Sequence, residues 1–269
     1  MIILEKYDVQ FKKKYGQNFL KDINIVKKIV RVANIEGNSL VIEVGPGGAI
    51  MTRELAQVAK NVVAYEIDGE LKNELYKRLA ETNNVKIFFC DFLLSDLCKD
   101  LYNYKYDNLY FVSNVPYYIT TPIIMKLIDQ RLSFKKIVMM VQKEVGERLT
   151  TECGNRMYGA LTVILNYHFT IKKEFVVSRR EFVPQPNVDS VVVSFQPKEN
   201  CLYLRDYSTF KKLVYDSFQF KRKTLRNNLK SYNLDKISSV LKEYGYDLNV
   251  RAEQLRLEVF VDMANIIYE

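Results

Sequence analysis

Short apolar runs rich in β-branched residues alternate with helical patterns along the first two-thirds of the chain. The strand-like runs cover residues 39–44, 62–65, 85–90, 109–113, 135–142, 172–177 and 188–195. Apolar residues at helical spacing lie before and between them, over 23–34, 51–59, 120–128, 143–150 and 155–166. This alternation predicts an α/β fold, with the last two runs as an antiparallel pair at the sheet edge.

The pattern changes to helical spacing near residues 197–200 and stays helical to the end of the chain. This change predicts a boundary between a large α/β domain and a small helical domain. We place the domains at residues 1–199 and 200–269.

Glycine or polar residues follow four consecutive strand-like runs. Gly45 and Gly47 come after the first run, Glu66 after the second, Asp91 after the third and Asn114 after the fourth. Ligands of open α/β sheets bind at the carboxyl ends of the strands. We therefore predict that these residues share one pocket.

The order strand, glycine turn, helix is typical of a nucleotide-type pocket. The dinucleotide fingerprint would place a third glycine at residue 50, where this chain has Ile50, so we expect a ligand without a pyrophosphate. Glu66 has about the spacing from the glycines at which a carboxylate binds ribose hydroxyls. Asp91 is placed to accept a hydrogen bond from an adenine amino group, and the alternative is a helix or turn cap.

The sequence Asn114-Val115-Pro116-Tyr117 ends the fourth run abruptly, and we assign the chemistry to this turn. Proline fixes φ and lacks an N–H, so we expect a stiff turn whose carbonyls face outward as unpaired acceptors. With the Asn114 side chain they suit an exocyclic amino group such as adenine N6, and Tyr117 offers a face on which a base can stack. The alternative is a strand-ending turn with an asparagine cap and a packed tyrosine.

Phe182 lies between the two edge runs, in a loop held by Pro184 and Pro186. We predict that it stacks on the face of the base opposite Tyr117, which would help offset the cost of taking a base out of its helix. The alternative is a loop anchor packed into the core.

Basic residues cluster near both ends of the chain. The amino-terminal cluster, Lys12, Lys13 and Lys14, is a candidate phosphate contact, and the loop that follows, with Asn18 and Leu20, is a candidate pocket wall. The other candidate RNA contacts are Arg148, Lys221, Arg222, Lys223 and Arg226. Cations with few acids between them favour a phosphate partner, and a solvated surface is the alternative.

The amino-acid composition limits the classes of function that this chain can have. The 269 residues carry a net charge of +8, which favours a polyanionic partner. The single histidine, His168, lies in an apolar segment where a core position is expected, so we predict neither Ser-His nucleophilic catalysis nor a metal site. Four scattered cysteines without a Cys-x-x-Cys pair, no signal peptide and no apolar run of membrane-spanning length predict a cytoplasmic protein with reduced thiols.

Five separated blocks resemble one known family, the ribosomal RNA adenine N6,N6-dimethyltransferases. The blocks are residues 16–20, 43–47, 114–117, 182–190 and 223–227. More narrowly they resemble its bacterial small-subunit branch, which dimethylates two adjacent adenosines near the 3′ end of 16S rRNA. Two positions depart from the family pattern: Ala49 stands where a third glycine is common, and Val115 replaces the commoner leucine.

The resemblance implies a seven-stranded class I S-adenosylmethionine-dependent (Rossmann-like) methyltransferase domain with a small all-helical, RNA-binding C-terminal domain. The family's cofactor positions carry over to Asn18, Leu20, Gly45, Glu66, Asp91 and Asn114, and Gly47 belongs to the same turn. The implied partner is 16S rRNA in the small ribosomal subunit or its precursor, with a role in subunit biogenesis, and we expect a monomer. Dimethylation, as opposed to monomethylation, follows from the resemblance alone.

Two other functions stay open. A sister group methylates an adenine of the large ribosomal subunit, although its proline-rich block and basic helix look less like residues 182–190 and 221–230 here. A non-catalytic RNA-binding assembly or transcription factor could use the same scaffold. Gly45, Glu66 and Asn114 argue against that second alternative.

Overall fold

The computed structural model describes residues 18–130, 132–199 and 202–268, and the chain forms two compact units. Among the described residues, the first unit contains those up to 146 together with 172–196, and the second contains 147–171 together with those from 197 to 268. The division predicted from sequence, at 199/200, differs from this one at residues 147–171 and at residues 197–199. Residues 147–171 pack with the carboxyl-terminal helices, a long-range association that the local pattern does not reveal.

Nine strands are present in the described residues, and every strand predicted from sequence is among them. They are β1 (Phe19–Leu20), β2 (Ser39–Val44), β3 (Asn61–Glu66), β4 (Val85–Phe89), β5 (Asn108–Asn114), β6 (Phe134–Gln142), β7 (Phe169–Val177), β8 (Phe182–Val183) and β9 (Ser190–Pro197).

Seven of these strands form one sheet, in the order β4-β3-β2-β5-β6-β9-β7. Neighbours from β4 to β6 are parallel, and β9 runs antiparallel to β6. The strand order reverses between β2 and β5, and ligands bind at such a switch point in open α/β sheets. β1 and β8 form a separate antiparallel pair in which Leu20 lies opposite Phe182.

The helices of the described residues flank the sheet or build the second unit. They are α1 (Ile23–Ala33), α2 (Ile50–Val58), α3 (Lys72–Arg78), α4 (Leu97–Leu101), α5 (Thr120–Asp129), α6 (Lys143–Leu149), α7 (Ala160–His168), α8 (Tyr207–Ser217), α9 (Leu225–Asn228), α10 (Leu234–Glu243) and α11 (Leu257–Tyr268).

The helix predicted over 155–166 begins later, because the segment before α7 forms turns. Gly154 has a φ of 90°, and the Asn155 side chain accepts a hydrogen bond from the Met157 N–H at 2.9 Å. This Asx turn satisfies the backbone locally and competes with a helix. The prediction was therefore right about the helix and wrong about its start.

The core of the first unit lies on the two faces of the parallel strands. All six residues of β2 are buried, as expected for a central parallel strand. Asp22 precedes α1, and its side chain caps the helix by accepting the Asn24 N–H at 2.8 Å. α1 buries Val26, Ile29 and Val30 in the cluster that also contains Val41. This packing holds α1 against the sheet.

The second unit is helical, with α8, α10 and α11 burying Phe210, Leu241 and Phe260. The His168 ring lies 5.0 Å from the Tyr167 ring and 5.1 Å from the Tyr207 ring, in an aromatic cluster of this unit. None of the helices in the described residues is both long enough and apolar enough to span a membrane.

Candidate active site at the carboxyl edge of the sheet

One pocket collects all the residues predicted to hold a cofactor. Its lining includes Asn18, Leu20, Gly45, Gly47, Glu66, Asp91 and Asn114, together with Val115, Pro116 and Tyr117. These residues follow β2, β3, β4 and β5 or precede α1, and they all belong to the first unit. The proximity expected from the strand ends is therefore present, while the role of each residue stays a prediction.

Three left-handed residues shape the turn between β2 and α2. Gly45, Gly47 and Ala49 have φ values of 73°, 52° and 60°. A Cβ atom on Gly47 would lie 2.4 Å from Cε1 of Phe19, and one on Gly45 would lie 3.9 Å from the Pro116 ring. Glycine is therefore required at residue 47, and the turn lies beside the segment predicted to carry the chemistry.

Ala49, where the resembled family often has glycine, is tolerated at a cost. A left-handed φ costs a residue with a Cβ roughly 1–2 kcal/mol. The methyl group is fully buried against Ala64, Leu71 and Leu75. Burying one such group stabilises the folded state by about 0.8 kcal/mol. Packing therefore offsets part of the backbone strain.

Glu66 holds the glycine turn in place from the end of β3. Its Oε2 accepts the Gly47 N–H at 3.2 Å, and its Oε1 accepts the Asp68 N–H at 2.9 Å. Burial raises the pKa of this carboxyl group. A carboxylate has about four lone-pair sites, so two backbone donors leave capacity for ligand hydroxyl groups.

Glu43 is a site residue that the sequence analysis did not single out. It lies within β2, is only 2% exposed and lines the pocket. Among the described residues, no donor contacts its Oε2. Burial, with a smaller contribution from the nearby Glu66 charge, raises its pKa to about 8. An acidic residue in a mostly apolar buried strand is the feature that could have identified it.

Asp91 caps the helical turn Phe92–Leu94 after β4. Its Oδ1 accepts the Leu93 N–H at 2.8 Å. The cap that was the alternative role is therefore present, and the residue also lines the pocket. The two roles are compatible, because one N–H leaves most of the acceptor capacity of a carboxylate unused.

The Asn114 side chain is oriented by one hydrogen bond at the end of β5. Its Nδ2 donates to the main-chain oxygen of Asn18 at 3.2 Å. Since a carbonyl only accepts, this contact identifies the amide nitrogen and leaves Oδ1 as the acceptor of the side chain. β5 itself is tied to β2 by Ser113, whose hydroxyl donates to the Val44 oxygen at 2.7 Å.

One of the two carbonyls expected to be unpaired is engaged. The Pro116 oxygen accepts the Ile119 N–H at 3.1 Å, which closes the helical turn Tyr117–Ile119. The prediction that the Pro116 carbonyl is unpaired was therefore wrong. Val115 donates its own N–H to Met140, and within the described residues no donor contacts its carbonyl. Val115 is thus the remaining main-chain acceptor of this turn.

The two tyrosines after Pro116 differ in exposure. Tyr117 is half-buried, its hydroxyl lies 2.6 Å from that of Ser190, and burial raises its pKa. Tyr118 lines the same pocket and is 55% exposed. Only Tyr117 was selected from sequence, although an aromatic pair directly after the turn could have pointed to both.

The structure does not support the stacking role predicted for Phe182. The side chain is 1% exposed and packs in the core cluster with Leu20 and Val26. Its backbone pairs with Leu20 through the β1–β8 ladder. A buried ring has no open face for a base, so Phe182 is the loop anchor that was the alternative.

The predicted RNA-binding cations are not all in one place. Lys12, Lys13 and Lys14 lie outside the described residues. Arg148 is exposed in the second unit. Lys221, Arg222, Lys223 and Arg226 are exposed together, on the loop between α8 and α9 and on α9 itself. Within the described residues, no group of three or more His, Cys, Asp or Glu side chains could hold a metal ion.

Comparison with known proteins places the chain beside one group of enzymes. The family model described as ribosomal RNA adenine dimethylase matches residues 8–269. A protein named ribosomal RNA small subunit methyltransferase A from Geobacillus kaustophilus is 41% identical over 98% of this chain and 94% of its own length. A protein of the same name from Streptococcus pneumoniae is 40% identical with the same coverage.

Two solved structures share the fold. A dimethyladenosine transferase from Plasmodium falciparum superposes with a TM-score of 0.77 at 29% identity, covering 91% of this chain and 95% of that one. The 23S rRNA methyltransferase ErmE superposes with a TM-score of 0.72 at 24% identity, covering 94% and 100%. The second likeness shows the fold alone.

Proposed function

The chain belongs to the ribosomal RNA adenine dimethylase family, and on that premise we propose that it dimethylates N6 of two adjacent adenosines near the 3′ end of 16S rRNA. The substrate is the small ribosomal subunit or its precursor, and the modification serves subunit biogenesis. The enzyme acts as a monomer in the cytoplasm. The orientation of Asn114 beside the glycine turn is the observation that carries the proposed chemistry.

The pocket residues suit S-adenosylmethionine, which supplies a methyl group bound to a positively charged sulfonium. Glu43 offers a buried carboxyl oxygen that has no partner among the described residues, and it favours a nearby positive charge once ionised. Glu66 is placed to accept from ribose hydroxyl groups, and Asp91 from the adenine amino group. Gly45 and Gly47 leave the backbone open for close approach.

The target adenine is held by the turn after β5. Asn114 Oδ1 and the Val115 carbonyl each accept a hydrogen bond from one of the two N–H groups of N6, and the Tyr117 ring stacks on one face of the base. Holding both N–H bonds out of the ring plane restores the lone pair that conjugation withdraws from N6. The nitrogen would then attack the methyl carbon while the carbon–sulfur bond breaks and its electron pair leaves with S-adenosylhomocysteine. The methylated cation would be acidic enough to lose its proton to water, without a strong base.

We expect labelled S-adenosylmethionine to place two methyl groups on each of two adjacent adenosines when the enzyme is incubated with undermethylated small subunits. Mapping the modified nucleotides in the 16S rRNA measures this directly. Large subunits treated in parallel are the control. Label in the large-subunit RNA would favour the sister group, and no label with no calorimetric binding of S-adenosylmethionine would favour a non-catalytic RNA-binding protein.

Glu43 should make cofactor preference depend on pH. Its pKa is raised from 4.5 to about 8. Between these two pH values the carboxyl group is protonated in the folded, ligand-free protein and ionised in the unfolded chain. The contribution of this group to the free energy of unfolding is fully present below pH 4.5 and is lost as the pH rises to about 8. Ionised Glu43 attracts the sulfonium, so the preference for S-adenosylmethionine over uncharged S-adenosylhomocysteine should grow several-fold over the same range.

Calorimetric dissociation constants for both ligands across this pH range test the expectation. The variant Glu43→Gln should show a preference that does not change with pH. Thr52→Val is the companion variant, because it keeps the carboxyl group and removes the neighbouring hydroxyl that lowers the pKa of Glu43, so the preference should still change with pH but rise at a higher pH. A wild-type preference independent of pH would show that Glu43 does not respond to the cofactor's charge.

A further inference from the structure

The loop between α8 and α9, residues 218–224, has a fixed backbone. The Phe220 carbonyl accepts two hydrogen bonds, from the Lys223 N–H at 2.9 Å and from Asn228 Nδ2 at 3.3 Å. The same buried amide group donates to the Ser217 oxygen at 2.6 Å. Directly after the loop, the Leu225 N–H donates a hydrogen bond to the Val250 oxygen at 2.9 Å. The loop is thus held at both ends and at its centre.

The side chains of this loop face solvent. Phe220 is 57% exposed. Lys221, Arg222 and Lys223, which share its turn, are all exposed, and so is Arg226 on the following helix. A single exposed aromatic residue is ordinary. Here, however, the ring is held on a fixed backbone among like charges that repel one another, and folding alone gains nothing from that arrangement.

We propose that Phe220 stacks on an unpaired nucleotide of the RNA while the neighbouring cations contact the phosphates on either side. Aromatic rings interleaved with cations suit single strands and loops, because every base has a flat face and every nucleotide a charge. A duplex keeps its bases stacked on one another and offers this ring no partner. The inference rests on the proposed function, since it takes the partner to be ribosomal RNA, and it adds the stacking residue and the unpaired state of the RNA at this loop.

The ring and the cations should differ in how salt affects their contributions. Phosphate contacts weaken with salt because they release counterions, whereas stacking does not. Phe220→Ala in the full-length protein should weaken binding to a short single-stranded RNA roughly tenfold, with the slope of affinity against salt unchanged and duplex RNA bound as before. Lys223→Gln should weaken binding to both RNAs and reduce the slope by about one.

Fluorescence anisotropy titrations between about 50 and 200 mM salt measure these effects. Tyr203→Ala is the matched control, because Tyr203 is a 77% exposed aromatic residue of the same unit that lies outside the basic loop, and it should bind like wild type. Phe220→Tyr should retain affinity. Wild-type affinity in Phe220→Ala, or an equal loss on duplex RNA, would overturn the proposal.

The proposed function can fail separately from this inference. Its test is the position of the methyl groups in subunit RNA, whereas the present test is RNA affinity without cofactor. A stacking effect on single-stranded RNA would survive even if the methylated nucleotides lay elsewhere. We expect all variants to have the melting temperature of the wild type, because the substituted positions are exposed. Equal melting temperatures exclude misfolding as the cause of a change in affinity.

Discussion

Replacing Asn114 with alanine should lower the single-turnover rate of methyl transfer by about 10²–10³-fold, the usual loss when one preorganised polar contact to a reacting group is removed. The side-chain oxygen is the acceptor that orients N6, and no other side chain of the turn can take its place. Folding should persist, because β5 remains anchored to β2. Affinity for S-adenosylmethionine should fall only in part, since the other strand ends still line the pocket.

The neighbouring variant Ser113→Ala is the control for general damage to β5. It removes a buried hydroxyl that donates to Val44 at 2.7 Å, which should cost about 1 kcal/mol of stability and leave the transfer rate near wild type. Rapid-quench measurements with both variants saturated by cofactor and RNA separate chemistry from binding. Wild-type transfer in Asn114→Ala would remove this residue from the mechanism.

Gly47→Ala should nearly abolish cofactor binding. The added Cβ would lie 2.4 Å from Phe19, a pocket-lining residue, and the φ of 52° is strained for any residue with a Cβ. Relief requires moving the turn or the ring, and either movement deforms the pocket. We expect affinity for S-adenosylmethionine to fall at least about 100-fold, and the free energy of unfolding to fall by roughly 1–3 kcal/mol.

Calorimetry and thermal unfolding measure the two effects, and two further variants identify the cause. Gly69→Ala adds the same methyl group where nothing lies within 4 Å, so it should leave binding unchanged. Combining Gly47→Ala with Phe19→Leu removes much of the collision and should recover part of the affinity. Tight binding by Gly47→Ala alone would mean that the glycine turn does not contact the cofactor.

The sequence predicted the strands and their ends because both depend on local pattern. The runs ending at Gly45, Glu66, Asp91 and Asn114 needed only apolar periodicity and a breaker, and all four residues line the same pocket. Parallel strands bring their carboxyl ends to one edge, so a correct strand assignment already places these residues close together.

The errors arose from contacts distant in sequence and, at Pro116, from a local turn that the pattern did not reveal. Phe182 is buried because β8 pairs with β1, and the local sequence gives no indication of that pairing. The Pro116 carbonyl is engaged because a helical turn follows it directly. Glu43 lies in a run whose burial could be read from sequence, but its pKa is raised because the folded sheet encloses it, and that effect is not visible from the strand alone.

The small β1–β8 ladder joins two segments that are synthesised at different times during translation. Leu20 lines the candidate pocket, yet its strand partner, Phe182, is synthesised much later in the chain. The Lys21 N–H likewise needs the Glu181 oxygen, at 2.8 Å. A nascent chain that stops before β8 therefore has all five of its parallel strands, β2 to β6, but an unfinished pocket wall. We expect competence to bind the methyl donor only after the proline-rich segment has emerged from the ribosome.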